Sequence, residues 1–195
     1  MQPRWRLAWL LVIAGCYTAS TTPTTISNRA ETGSAGLLTI TEDGFGPLRA
    51  DTPATLTALR AAFTGYDVRP TNDSTLSYSV YLGDEKLAWV IPNENGTLFN
   101  VHATSPRIET RGHDWRVGSG FQGSASLTDC ECWGDNPTCY RRGGHVAVNF
   151  KRGCAGLVGA DARGLRVLDG VVVQRVIWSP TPFSGGGGSD EIDQP

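Results

Sequence analysis

Five cysteines and three histidines are the residues of this 195-residue chain suited to nucleophilic, proton-transfer or metal chemistry. A hydrolase needs a nucleophile, a base and an orienting group that converge in a cleft, and no Gly-x-Ser-x-Gly elbow supplies a serine nucleophile here. His102 falls in a strand pattern, His113 precedes Asp114, and His145 opens another strand. His113 and Asp114 are a poor base and orienter, because neighbouring side chains on an extended chain point to opposite faces. All three histidines are therefore read as surface or strand-edge polar residues. Asp84-Glu85 and Asp190-Glu191 read as turn and tail acids, so no catalytic residue is assigned. Cys130, Cys132, Cys139 and His145 could form a three-sulfur, one-nitrogen zinc shell, but Cys-x-Cys followed by a six-residue gap is not a zinc-ribbon or finger spacing. No metal and no cofactor is expected.

Cys16 has a different chemistry. Met1 to Arg6 carries two positive charges, Leu7 to Ala14 is unbroken apolar sequence, and the small residues Ala14 and Gly15 lead into Cys16. Eight helical residues cover only about 12 Å against a ~30 Å hydrocarbon core, so residues 1–15 read as a secretory signal rather than a span. Ile13-Ala14-Gly15-Cys16 resembles the bacterial lipobox, in which the Cys is acylated and becomes the mature N-terminus. Several acyl chains at one terminus hold a protein on a membrane durably, since each buried CH2 contributes about 0.8 kcal/mol. Tyr17, not being Asp, favours the outer membrane, with the protein facing the periplasm.

Export places the remaining four cysteines, Cys130, Cys132, Cys139 and Cys154, in an oxidising compartment, which favours two disulfides over zinc. Cys130 and Cys132 lie roughly 6.5 to 7 Å apart on a strand, near the upper limit for a bridge, so they are not expected to join. The segment between Cys132 and Cys139 contains Gly, Asp, Asn and Pro suited to a reversing turn, which favours Cys132 with Cys139 and Cys130 with Cys154. The swapped pairing, Cys130 with Cys139 and Cys132 with Cys154, is the alternative.

Seventeen basic against nineteen acidic residues leave a formal charge of −2, so no basic field exists for nucleic acid. Residues 16–36 follow the signal as a Thr/Ser-rich tether with too little apolar surface to offset ordering, and residues 184–195 form a Gly-rich polar tail expected to be disordered. One globular domain is expected over 37–183.

The elements that would position any site are mostly strands. Leu38–Thr41, Tyr78–Leu82, Leu87–Ile91, Leu98–Ala103, His145–Phe150 and Val171–Trp178 show alternation or β-branched runs, several ending at Asp-Gly, Gly-Asp or Asn-Gly turns. One helix is signposted, with Thr52 as N-cap, Pro53 at its first position, Leu56, Leu59 and Phe63 on one face, and Gly65 at the C-terminal end. A weaker helical pattern spans Ser119 to Leu127. Trp89 and Trp178 read as core, whereas Trp5 and Trp9 leave with the signal. Asn72-Asp73-Ser74 and Asn95-Gly96-Thr97 fit a glycosylation pattern but read as turns in a bacterial chain. The fold class is α+β: a mainly antiparallel, meander-like sheet with one or two short helices packed on it.

Gly44-Phe45-Gly46-Pro47-Leu48-Arg49-Ala50-Asp51-Thr52-Pro53, the Phe63-Thr64-Gly65-Tyr66 helix end, Ser105-Pro106, Arg116-Val117-Gly118 and Val176-Ile177-Trp178-Ser179-Pro180 carry a resemblance. Together they resemble the family of small bacterial lipoproteins under envelope-stress (sigma-E) control whose function is uncharacterised. The resemblance covers roughly 37–180 and implies an exported α+β domain on a lipid anchor; it supplies no catalytic residues, and Asp129 to Cys154 does not match it. The favoured function is a lipid-anchored, non-catalytic binding or structural module that contacts an envelope protein, a glycan or a small ligand. The alternative is a small periplasmic hydrolase. An apolar groove without converging titratable groups favours the first; His102 or His145 bonded to an acid and a serine in a pocket favours the second.

Overall fold

The computed structural model describes residues 37–71, 76–161 and 163–185. The signal, Cys16, the tether, Asn72-Asp73-Ser74 and residues 186–195 of the tail lie outside them.

Eleven strands and one α-helix follow in order. They are β1 Thr39–Thr41, β2 Gly44–Phe45, α1 Leu56–Ala62, β3 Asp67–Pro70, β4 Tyr78–Leu82, β5 Glu85–Pro92 and β6 Leu98–Ala103. After them come β7 Glu109–Thr110, β8 Asp129–Trp133, β9 Asn136–Tyr140, β10 Val146–Phe150 and β11 Val173–Trp178. Strands β3–β6 and β8–β11 are two four-stranded meanders that meet at β6 and β11 in one antiparallel sheet of order β3-β4-β5-β6-β11-β10-β9-β8. A small sheet, β2-β1-β7, pairs β1 antiparallel with β2 and parallel with β7. The chain is thus α+β and sheet-dominated, as the alternating patterns require.

Strand alternation makes two faces, and two rows of cross-strand partners show what each does. Val68, Val80, Ala88, Ala103, Val176, Val148, Cys139 and Cys130 form one row across all eight strands, every member buried. This face builds the main core with Leu38, Ile40, Phe45, Leu59 and Phe63 from the small sheet and α1. The neighbouring row, on the opposite face, runs Arg69, Ser79, Trp89, His102, Ile177, Ala147, Tyr140 and Asp129. There a second, smaller cluster of Tyr140, Ala147 and Ile177 is packed by Trp133 and Phe183.

Helix α1 begins three residues later than the sequence pattern indicates. The Thr52 hydroxyl accepts from the Arg49 amide (2.9 Å), Pro53 makes a β-bridge with Thr97, and the Ala54 amide donates to Gly96 (2.9 Å), which holds 52–54 against the β5–β6 turn. Thr55 caps instead, accepting from the Ala58 amide at 3.3 Å. Gly65 does adopt the expected left-handed conformation, with φ +85°. Within Ser119–Leu127 only Ser124–Ser126 winds, as a single 3₁₀ turn. Asn95–Thr97 is a turn, its Asn95 Oδ1 accepting from the Thr97 amide and hydroxyl.

The disulfides are Cys130–Cys139 and Cys132–Cys154, which corrects the favoured pairing. The reversal is tighter than a loop between Cys132 and Cys139: Gly134 (φ +64°) and Asp135 alone join Trp133 to its partner Asn136. That register sets Cys130 directly opposite Cys139, with Cα atoms 4.0 Å apart, and puts Pro137 opposite Cys132. Cys132 and Cys130 both lie on the core-facing side of β8, and Cys132 ties the hairpin tip to Cys154, past the end of β10.

Candidate functional site

The three histidines occupy three different environments, and none of them bonds a hydroxyl. His102 is not a surface residue: it sits mid-sheet on β6, 6% exposed, with neither ring nitrogen hydrogen-bonded. Burial, and then the nearby Arg175 charge, lower its pKa to about 4, so it is neutral at physiological pH. Its ring lies 6.5 Å from Trp89 and stacks at 6.3 Å on Trp133. On a flat sheet β8 would lie about 19 Å from β6, four strand spacings of ~4.8 Å. The contact shows that this half of the sheet curls, bringing the hairpin tip back over His102.

Trp89 departs from the expected core position. It is half-buried on the outer face, with Lys86 Nζ 3.8 Å and Arg175 Cζ 5.0 Å from its ring centroid, an arrangement of cation–π contacts rather than of core packing. Trp178 is core, as expected.

His145 Nδ1 lies 2.8 Å from the Ser179 backbone carbonyl, and the Ser179 hydroxyl donates instead to the Phe99 carbonyl (3.4 Å). His113 Nε2 lies 3.3 Å from Glu42 Oε1, while Glu42 Oε2 accepts the His145 backbone N–H at 2.6 Å. Glu42 therefore ties its own turn to segments 71 and 103 residues further along the chain. Its own backbone carbonyl accepts from Trp178 Nε1 (3.3 Å), which fixes the β1–β2 turn to the core.

Beside Glu42 lies an open cleft of about 500 Å³ lined by residues 109–116. Local structure explains its shape. Pairing of β7 with β1 extends as far as the Arg111 amide, which donates to Ile40 (2.8 Å). Gly112, at φ +83°, then turns the chain out, a conformation that suits a residue without Cβ. Trp115, 3% exposed, drives the chain back by packing on Phe121 in the main core. The His113 ring is stacked 4.0 Å from Trp115 at 22°; Trp115 is buried beneath it, and 17% of the His113 side chain is exposed at the wall. Arg111, Arg116, Glu109 and Asp114 are exposed around it, two cations and two carboxylates. A second cleft of about 320 Å³ is lined by Glu42 and Arg141–His145.

Elsewhere, Leu37, Leu38, Tyr66, Leu82, Leu87 and Ile108 line an apolar crevice of about 320 Å³. Arg107 stands among them and pairs with Glu85 at 3.3 Å. No nucleophile and base meet in any of these three cavities among the described residues.

Of the residues singled out from sequence, His113 and His145 come together through Glu42, whereas His102 stands apart in the sheet. Cys130, Cys132, Cys139 and Cys154 are all in disulfides, and no group of three or more potential metal ligands occurs among the described residues. Glu42 and Trp115 carried no local signal, since their role depends on contacts made across the fold.

No family model and no curated protein matches this chain. The crystal structure of the uncharacterized protein yfeY from Escherichia coli is similar to it, with a TM-score of 0.51 at 20% identity over 72% of this chain and 99% of that one. Shared architecture at this identity is a likeness of fold, and the chain accordingly has the α+β fold of an uncharacterised bacterial protein.

Proposed function

We propose that this is a lipid-anchored protein of the bacterial cell envelope, held at the outer membrane through Cys16 and facing the periplasm, whose folded domain binds a ligand without chemical turnover. The lipobox-like Ile13–Cys16 segment supports the anchor, the Gly44–Pro53 resemblance supports membership of the envelope-stress lipoproteins, and the fold likeness adds that an uncharacterised bacterial protein has a similar architecture. We place the binding site in the cleft of residues 109–116 and take its ligand to be a short glycan.

One observation carries this reading: the cleft beside Glu42 joins a histidine ring backed by Trp115 to a balanced set of charges, and no hydroxyl or thiol bonds that histidine among the described residues. Its volume of about 500 Å³ lies within the usual range for ligand sites. Two guanidinium groups and two carboxylates produce little net field, so they select a ligand that both donates and accepts hydrogen bonds over a plain ion. The imidazole of His113, backed by Trp115, offers a flat face for the C–H side of a sugar ring. A hydrolase would need a nucleophile beside His113 as well as an orienting carboxylate; Glu42 supplies the second, and no hydroxyl or thiol bonds His113 among the described residues.

The test is a titration of the protein with soluble envelope glycan fragments, followed by Trp fluorescence and by amide chemical shifts. Saturable changes confined to residues 109–116 and Glu42, weakened by Arg116→Gln and by Asp114→Asn, support the proposal. Unchanged spectra at millimolar glycan, or release of cleaved sugar, contradict it.

A further inference from the structure

The connection between β10 and β11 divides its apolar residues in an unusual way. Leu157, Leu165 and Leu168 are fully buried, while Val158, Val167 and Val172 are 60%, 54% and 47% exposed. These are three of the six exposed large hydrophobic residues among the described positions. The same connection carries Lys151, Arg152, Arg163 and Arg166 against only Asp161 and Asp169, in a chain whose acidic residues outnumber its basic ones.

Hydrogen bonds bring the Arg152 guanidinium to Val167 and the backbone of Lys151 to that of Val172. Arg152 Nη1 donates to the Val167 carbonyl at 3.1 Å, the Lys151 amide donates to the Val172 carbonyl at 3.3 Å, and the Arg166 amide donates to Arg163 at 3.2 Å. Both carboxylates are engaged within the protein. Asp161 Oδ1 accepts from the amides of Arg163 and Gly164 (3.1 and 2.9 Å), and Asp169 accepts from the Ser124 amide and hydroxyl (3.3 and 3.0 Å). Lys151, Arg163 and Arg166 are exposed and make no ion pair among the described residues. The Cys132–Cys154 disulfide fixes the start of the connection to the sheet.

From this arrangement we infer that the β10–β11 connection is a membrane-facing surface that docks on an anionic lipid bilayer. Cations beside exposed apolar side chains are the composition of an interfacial contact: lipid phosphates attract the former, and the valines enter the headgroup boundary. The inference is separate from the glycan reading. It also does not require the Cys16 lipid, which would raise the local concentration of this surface at the bilayer without supplying its charge preference.

The experiment uses the chain from residue 16 onward with Cys16→Ser, so that neither signal nor acyl chain contributes; the main core lies between Leu38 and Trp178 and is intact in it. Sedimentation with vesicles of phosphatidylcholine alone is compared with vesicles containing phosphatidylglycerol. Partitioning should be roughly 100-fold stronger on the anionic vesicles, at about fivefold for each of the three cations Lys151, Arg163 and Arg166, and fall with salt. Arg163→Gln with Arg166→Gln should lower it roughly 25-fold, at about fivefold per cation. Val167→Trp supplies a second readout, whose emission should shift to the blue on anionic vesicles only. Equal binding to both vesicle types, binding that ignores the arginine substitutions, or an unshifted emission from the introduced tryptophan overturns the inference.

Discussion

His102 makes stability depend on pH in a range where few other groups titrate. In the folded chain its pKa is lowered to about 4 from 6.5, because ionisation would place a charge in the sheet between Trp89, Trp133 and Arg175. The unfolded chain therefore binds this proton at a higher pH than the folded one. Stability from the neutral ring is fully present above about pH 6.5, is lost as pH falls toward 4, and changes no further below that. The whole interval corresponds to about 3 kcal/mol, of which roughly 2 kcal/mol is lost between pH 7 and pH 5. His102→Phe keeps an aromatic ring against Trp133 and removes the proton. In urea melts the wild type should lose roughly 2 kcal/mol more than this variant between those two pH values, about 1 M in midpoint at the slope usual for a small domain. The His102 ring protons should also stay unshifted by NMR down to about pH 5. Parallel losses in the two proteins, or a ring titrating near 6.5, would refute the reasoning.

Four further outcomes are expected. Mild reductant should open Cys132–Cys154 before Cys130–Cys139, since Cys132 is exposed while Cys130 and Cys139 are 5% and 0% exposed; mass spectrometry after timed alkylation reads the order. Loss of either bridge by Cys→Ala pairs should cost about 3 kcal/mol in a urea melt, slightly more for the longer Cys132–Cys154 loop. Phe183→Ala should cost roughly 1–3 kcal/mol, because its ring stacks 4.8 Å from the buried Tyr140, whereas truncation after Gly185 should leave the midpoint unchanged. Cys16→Ala should leave the N-terminal peptide without lipid and make the protein extractable from the membrane fraction by high salt, where the wild type needs detergent.

The legible parts of this fold are those whose determinants are local. Tyr78–Leu82 and Leu98–Ala103 were readable at the bounds they occupy, because alternation and flanking turns are properties of neighbouring residues. The bounds and register of β8 and β9 carry no local signal, because Asp129–Trp133 and Asn136–Tyr140 hold Cys, Glu, Asn and Pro in place of the usual β-branched residues. Without that hairpin's register the cysteine pairing could not be deduced from spacing. Thr52 carries the local cap signal because Pro53 follows it, and only the contacts of 53–54 with Gly96 and Thr97 move the cap to Thr55. His102 illustrates the same limit: a histidine in an alternating strand reads as solvent-facing until the sheet curls and Trp133 covers it. Glu42 was illegible for a related reason, since both of its histidine contacts come from distant parts of the chain.

The central claim is that the cleft of residues 109–116 holds a glycan in the envelope and leaves it intact. A photo-crosslinking amino acid placed at Asp114, on the cleft rim, in the full-length protein in living cells tests this directly, with the same group at Phe99, which is not among the cleft-lining residues, as the control. The account predicts a glycan-bearing adduct at position 114, absent at position 99, whose sugar chain is uncleaved at the site of attachment. An adduct containing only protein, a shortened glycan, or equal labelling at the two positions would contradict it.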